Sequence, residues 1–237
     1  MGSEALFHEG RLDAAVEALG KELQRDPADL RRRTFLFELL CFSGKYDRAE
    51  KHLDVVSTAS QDAAMGALLY RSALHAERIR QEMFRTGEYP RRGARAVSGT
   101  LNGRPFDSLA DADPRIGARL EVFAAGEYLW LPLEHVASVR LAPPKRLRDL
   151  LWAPAVLRTG PGFKGVELGE VLLPVLAPRS WEHDYDAVRL GRVTAWSAID
   201  DGHEAPVGQK LFLVDGEEFP ILELRELEIA PGAATST

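Results

Sequence analysis

Through the first part of the chain, apolar positions recur at helical spacing. In residues 11–25, Leu12, Ala15, Val16, Leu19 and Leu23 share one stripe, which predicts an amphipathic helix. Asp26 followed by Pro27 reads as a cap and a first helical position, so the chain turns there and restarts. The next helix, predicted over 28–42, contains FLFELLCF; apolar residues nearly all round imply neighbours on both sides. Gly44 ends it as a left-handed cap. Residues 46–56 repeat the stripe with Tyr46, Ala49, Leu53 and Val56, and a longer helix follows over about 62–85, with Leu69, Ala73, Ala76, Ile79 and Met83 on its inner face. Gly87 and Pro90 close it.

The periodicity then stops. RTGEYPRRGARA, residues 85–96, is rich in Arg, Gly and Pro and reads as a linker. Beyond it, short apolar runs alternate with turn signals. Asn102-Gly103 marks a hairpin; 119–123 and 128–131 flank Ala-Gly-Glu; 152–159 and 166–175 flank a glycine-rich loop; 211–214 and 219–224 flank Asp215-Gly216. Residues 192–199 read as a further strand, with short helices at 114–117 and 144–151. The tail, 231–237, is small and polar and is expected to fray.

The helical part also echoes itself. Aligning Gly10 with Gly44 brings Leu12 onto Tyr46, Asp13 onto Asp47, Ala15 onto Ala49 and Leu19 onto Leu53, a period of 34 residues. That period belongs to tetratricopeptide-like helical hairpins, which stack side by side and leave a groove. The expected fold class is α+β. Tetratricopeptide-like hairpins occupy 1–88, a linker 89–97, and a mainly antiparallel β domain with short helices 98–230.

Composition narrows the function. Net charge is −6 overall, and it is uneven: residues 1–96 carry 16 Lys+Arg against 15 Asp+Glu, residues 97–237 carry 14 against 21. Neither half has the net-basic balance of a dedicated nucleic-acid binder. One cysteine, Cys41, excludes an intrachain disulfide and fits a reducing compartment. No apolar stretch reaches membrane-spanning length, and MGSEALFHEG lacks a basic start with an apolar signal core, so a cytoplasmic protein with no membrane contact is expected.

Chemical motifs are sparse. Gly160-Pro-Gly162-Phe-Lys-Gly165 matches a dinucleotide fingerprint by letter, but a strand-like segment follows where a helix would have to hold the pyrophosphate, so it reads as a hairpin loop. Asp111 and Asp113 before Pro114 read as a turn rather than a metal pair. Trp181-Glu-His183-Asp184-Tyr-Asp186 is the best metal-like cluster, yet it lacks a second histidine. Cys41 sits among apolar neighbours, as a buried small hydrophobe does. The basic linker residues Arg91, Arg92 and Arg95 lack regularly spaced aromatics for base stacking. No catalytic site, metal or cofactor is expected.

The groove remains. In such hairpins the first helix of each repeat lines the concave face. The Gly44 register places Arg31, Thr34, Glu38 and Cys41 there, and one repeat later Met65, Leu68, Ser72 and His75. Apolar anchors mixed with charges of both signs suit an amphipathic helical peptide. A small-ligand or enzymatic module on the β part, supported by the glycine loop and the His183 cluster, is the alternative.

Several blocks together carry a family resemblance: LFELLCFSGKYDRAEKHL, LNGRPF, DADPRIGARLEVFAAGEYLWLP, PPKRLRDLLWAPA, LPVLAPRSW, RLGRVTAW and GQKLFLVDGEEFPILELRELE. In these the chain resembles the ImpE (SciE, TagJ) proteins encoded with bacterial type VI secretion systems. The resemblance implies a non-catalytic accessory role, with binding of the N-terminal helix of the small sheath subunit and a link to the ATPase that recycles the contractile sheath. Members of that family are longer between the first helices and the block around Asn102-Gly103, with a further helical pair there. In this chain only residues 85–96 fill the gap.

Overall fold

The structure is a computed structural model that describes residues 1–90, 95–160, 162–165, 167–199 and 202–231. The helical periodicity becomes five helices: α1 (Ser3–His8), α2 (Leu12–Arg25), α3 (Leu30–Phe42), α4 (Tyr46–Ser57) and α5 (Gln61–Thr86). Each packs on the next in order, giving two hairpins, α1–α2 and α3–α4, and the first helix of a third. The two echoed glycines serve the same purpose in both hairpins: Gly10 and Gly44 take φ of +78° and +67°, the left-handed region that closes a helix without a Cβ penalty. A Cβ on Gly44 would also strike the Trp181 ring, so this cap doubles as a seat for the β part.

The β part is antiparallel throughout its described pairs. It comprises β1 (Gly99–Leu101), β2 (Arg104–Phe106), β3 (Leu109–Asp111), β4 (Arg119–Ala124), β5 (Glu127–Pro132), β6 (Val136–Leu141), β7 (Trp152–Thr159), β8 (Gly169–Pro174), a short helix α6 (Asp186–Arg189), β9 (Thr194–Ala198), β10 (Glu204–Gly208), β11 (Leu211–Val214), β12 (Glu217–Pro220) and β13 (Glu226–Ile229). Among the described residues, one large sheet runs β2-β1-β13-β6-β7-β8-β4-β5, beside smaller sheets β12-β11-β3 and β10-β9. Three hairpins turn on residue pairs with φ > 0 at both positions: Asn102-Gly103, Ala125-Gly126 and Asp215-Gly216. That geometry matches the right-handed twist of the flanking strands.

Two apolar clusters hold the molecule. One lies inside the β part, built from Val122, Leu133, Val139, Leu157, Phe212, Ile221 and Leu227 among others. The other is shared: Leu12, Leu19, Phe37, Phe42 and Leu74 of the helices pack with Phe123, Trp152, Leu172 and Leu190 of the β part.

Several local expectations are corrected. The cap of α3 is Asp29, whose carboxylate accepts from the Arg32 amide at 2.9 Å; Asp26 and Pro27 belong to the turn before it. Helix α1 is too short to show a periodicity and was not anticipated. Residues 114–117 make a turn, closed by the Ile116 and Gly117 amides on the Asp113 carbonyl, and 144–151 reduce to a 3-10 turn at Leu147–Leu150. The strand expected over 219–224 stops at Pro220, whose ring cannot donate to a ladder, and a 3-10 turn follows. Strands β3, β6, β10 and β13 were also not anticipated. On α5 the inward stripe is Ala67, Ala73, Leu74, Ala76, Glu77, Arg80 and Phe84, so Leu69 and Ile79 point outward instead. Linker residues Arg91 and Arg92, and most of the tail, lie outside the described residues.

Candidate functional site

The concave face of the hairpin stack is where the sequence places a groove, and the β part is wedged into it. The wedge is the 3-10 turn Leu147–Leu150 with Leu151 and Trp152. Trp152 is buried, stacks 6.3 Å from the Tyr70 ring of α5 and donates its indole N–H to Glu77 at 3.1 Å. The Arg148 guanidinium lies over Tyr70 at 4.8 Å and reaches Glu38 of α3 at 3.3 Å. The groove is therefore divided rather than continuous.

Behind the wedge sits a buried charge network. The Arg80 side chain, 1% exposed, donates to Glu121 at 2.7 and 3.0 Å, to Glu77 at 3.1 Å and to the Leu176 carbonyl at 2.9 Å. Lys210 pairs with both Glu121 and Asp111, and the Tyr128 hydroxyl donates to Glu121. Burial alone would raise the Glu121 carboxyl, but Arg80 and Lys210 outweigh it and hold it well below the usual range. Asp111 goes the other way: burial pushes it up, Lys210 opposes this, and the neighbouring Glu121 charge adds to the rise. These groups are sealed from solvent and join α5 to β3, β4 and the start of β11. They lock the two parts together and offer no open site.

Of the eight residues placed on the groove, Cys41 is buried and the other seven fall into two groups. Arg31, Thr34 and Glu38 line a cleft of about 870 Å³ between α1, α3 and Leu147. Arg31 is exposed there and pairs with Glu4 at 3.0 Å; Thr34 turns its hydroxyl to the Leu30 carbonyl at 2.9 Å. Glu38 is only 7% exposed, and burial raises its carboxyl to about 7 against the pull of Arg148. A carboxyl that holds its proton more tightly in the folded state contributes stability that is fully present below about pH 4.5 and lost by about pH 7. Between pH 5 and 8 the wild type should therefore lose about 1–3 kcal/mol more stability than Glu38→Gln, read from urea midpoints across the range. Parallel profiles would show that Glu38 does not titrate there.

Met65, Leu68, Ser72 and His75 do not share that cleft. They follow one another at steps of three and four on the outward side of α5, and Ile79 continues the stripe. Met65, Leu68, Leu69 and Ile79 are 65%, 58%, 49% and 37% exposed. At its edge the stripe runs into a second cleft of about 830 Å³, walled by Leu69, Ser72 and Ala73 of α5 and by Phe123, Ala125 and Gly126 at the β4–β5 turn. Its floor is the outer face of the large sheet. There, one row across four strands reads Glu226, Arg140, Val156 and Glu170. The lining is mostly apolar with charges at the rim, which is the character of a site for an amphipathic segment.

The remaining candidates are occupied otherwise. The Gly160 loop joins antiparallel β7 to β8, so the next described element is a strand and not a helix; Pro161 lies outside the described residues. Nδ1 of His183 accepts from the Tyr185 amide at 3.0 Å, Glu182 pairs with Arg179, and Asp186 accepts from the Leu12 amide at 2.8 Å while pairing with Arg189. Asp113 accepts from Arg115, as a turn residue would. Cys41 is buried, and burial pushes its thiol up. Among the described residues no helix is long and apolar enough to cross a membrane.

Reading the sequence missed the wedge and the charge network. The signal for the network was present: Glu77 and Arg80 sit on the inner face of a helix whose other inward residues, Ala67, Ala73, Leu74, Ala76 and Phe84, are apolar. A charge at such a position needs a partner from elsewhere, and no sequence pattern says that the partner is Glu121.

Comparison with known proteins agrees with this architecture. The family described as ImpE protein matches residues 103–228, and a tetratricopeptide repeat family matches residues 6–71. The chain is 35% identical to the type VI secretion system accessory component TagJ of Pseudomonas aeruginosa, over 98% of this chain and 92% of that protein. The alignment spans 266 positions, more than this chain possesses, so the relative carries segments that this chain lacks. In fold, the crystal structure of protein VPA1032 from Vibrio parahaemolyticus superposes with a TM-score of 0.85 over 99% of both chains, at 22% identity.

Proposed function

The chain belongs to the ImpE family, and from that premise we propose that it is a non-catalytic accessory protein of a bacterial type VI secretion system. It works in the cytoplasm as an adaptor, binding a helical segment of a sheath component, the N-terminal helix of the small sheath subunit. Through that contact it assists the ATPase that recycles the sheath. The observation that carries the reading is the apolar stripe of α5 and the cleft beside it. Together they present Leu68, Leu69 and Val156 to solvent-accessible space rimmed by Arg140, Glu170, Arg225 and Glu226. Open apolar surface of this kind marks a protein contact. Among the described residues, Asp111 is sealed in the interface network and Asp113, His183 and Asp186 are held in hydrogen bonds and ion pairs of their own, which supports an adaptor over a catalyst.

The test is co-purification. Tagged protein expressed at native level should bring down the small sheath subunit from cells with an intact sheath operon, and deletion of that subunit's N-terminal helix should remove it from the eluate. Recovery that is indifferent to the helix would overturn the proposed contact.

A further inference from the structure

The stack ends abruptly. Hairpins α1–α2 and α3–α4 each bury the seam between their two helices, but α5 begins a third hairpin for which the described residues supply no second helix. After Gly87 the chain leaves the stack: Tyr89 stacks on Trp130 of β5 at 5.7 Å. In a solenoid each repeat covers the apolar face of the one before it. On α5 no described helix covers that face. It is the stripe Met65, Leu68, Ser72, His75 and Ile79, about 21 Å long at the helical rise.

Resting on the adaptor reading above, we propose that the partner's helix docks on this open end of the stack, where it stands in for the missing second helix of the third hairpin. The occupant is an amphipathic helix whose apolar side covers Met65, Leu68 and Ile79. Its flank toward α4 is basic. On that side α4 presents Asp47, Glu50 and Asp54 with Lys51 beside them, and α5 contributes Arg71 and Arg78; Asp47 and Asp54 keep much of their surface in water and are the charges a basic flank would meet. On the opposite flank the stripe is continuous with the cleft through Leu69 and Ser72. Exposed apolar residues at helical spacing, next to helices that already pack in the same way, offer the ridges and grooves a further helix needs.

The experiment uses the full chain and a fluorescent synthetic peptide covering the N-terminal helix of the small sheath subunit, titrated by anisotropy. Met65→Asp and Leu68→Asp are compared with Val156→Asp on the cleft floor; all three side chains are exposed, and thermal melts check that each variant folds. Met65→Asp and Leu68→Asp are each expected to weaken binding at least tenfold, and Val156→Asp less than threefold. Asp47→Lys should weaken binding severalfold and flatten its salt dependence. Wild-type affinity in both stripe variants, with the peptide still bound, overturns docking at the end of the stack but leaves the adaptor reading standing. Loss only in Val156→Asp moves the helix onto the sheet. No binding by the wild type overturns both readings.

Discussion

Replacing Arg80 with methionine is expected to destabilise the protein by about 3–5 kcal/mol, the usual consequence of breaking a buried ion pair by removing one partner. Arg80 is the central cation of the interface network. It satisfies both oxygens of Glu121, one of Glu77 and the Leu176 carbonyl, and all of these lie out of water. Methionine keeps most of the volume but leaves Glu121 with Lys210 and the Tyr128 hydroxyl, and Lys210 already serves Asp111. Two cations against three carboxylates becomes one against three. The measurement is urea unfolding at pH 7 followed by circular dichroism, with Glu82→Ala, an exposed carboxylate on the same helix, as the reference. A loss under 1 kcal/mol would mean that water reaches the network. If Arg80→Met does not fold, Arg80→Lys, which keeps the charge but not the fork of donors, should give a folded and weakened protein.

Trp152→Ala is expected to cost a similar amount, about 3–5 kcal/mol, for a different reason. The ring fills the seam between the hairpin stack and the sheet, against Tyr70 and in the apolar cluster shared by both parts. Truncation leaves a cavity that neither rigid element can collapse to fill, and strips Glu77 of its indole donor. Trp152→Phe separates the two effects: it keeps most of the packing and loses only the N–H, so about 1–3 kcal/mol is expected. Equal costs for the two variants would show that the hydrogen bond, not the ring, holds the wedge. Neither substitution touches the outward side of α5, so peptide affinity of the folded variants should stay near wild type, which distinguishes a structural wedge from a binding residue.

The helices were legible because their signal is local. The stripe Leu12, Ala15, Val16, Leu19, Leu23 needs only an apolar neighbour somewhere, and the glycines at 10 and 44 announce left-handed caps by themselves. The hairpins at Asn102-Gly103 and Asp215-Gly216 were legible for the same reason, since both central positions need φ > 0 and few residue types supply it. Strands β6 and β13 carried no such mark. Their pairing, Arg140 with Glu226 and Val139 with Leu227, joins segments far apart in the chain, and only the finished sheet makes their alternation meaningful.

The candidate site was half legible. Met65, Leu68, Ser72 and His75 belong together, as their spacing requires, and Arg31, Thr34 and Glu38 belong together too. They do not form one surface for two reasons: Met65, Leu68 and His75 turn to the outward side of α5, and Trp152 and Arg148, from the other part of the chain, occupy the space between α3 and α5. By itself, then, the sequence determined the class of fold, the repeat and its Gly44 cap, and the residues that share the inner faces of α2 and α4. All of these follow from backbone geometry over a few residues. Tertiary structure alone decided which face each helix shows to water, because burial is settled by whatever packs against it: the wedge covers Glu38, the sheet covers Arg80, and no described helix covers Leu68.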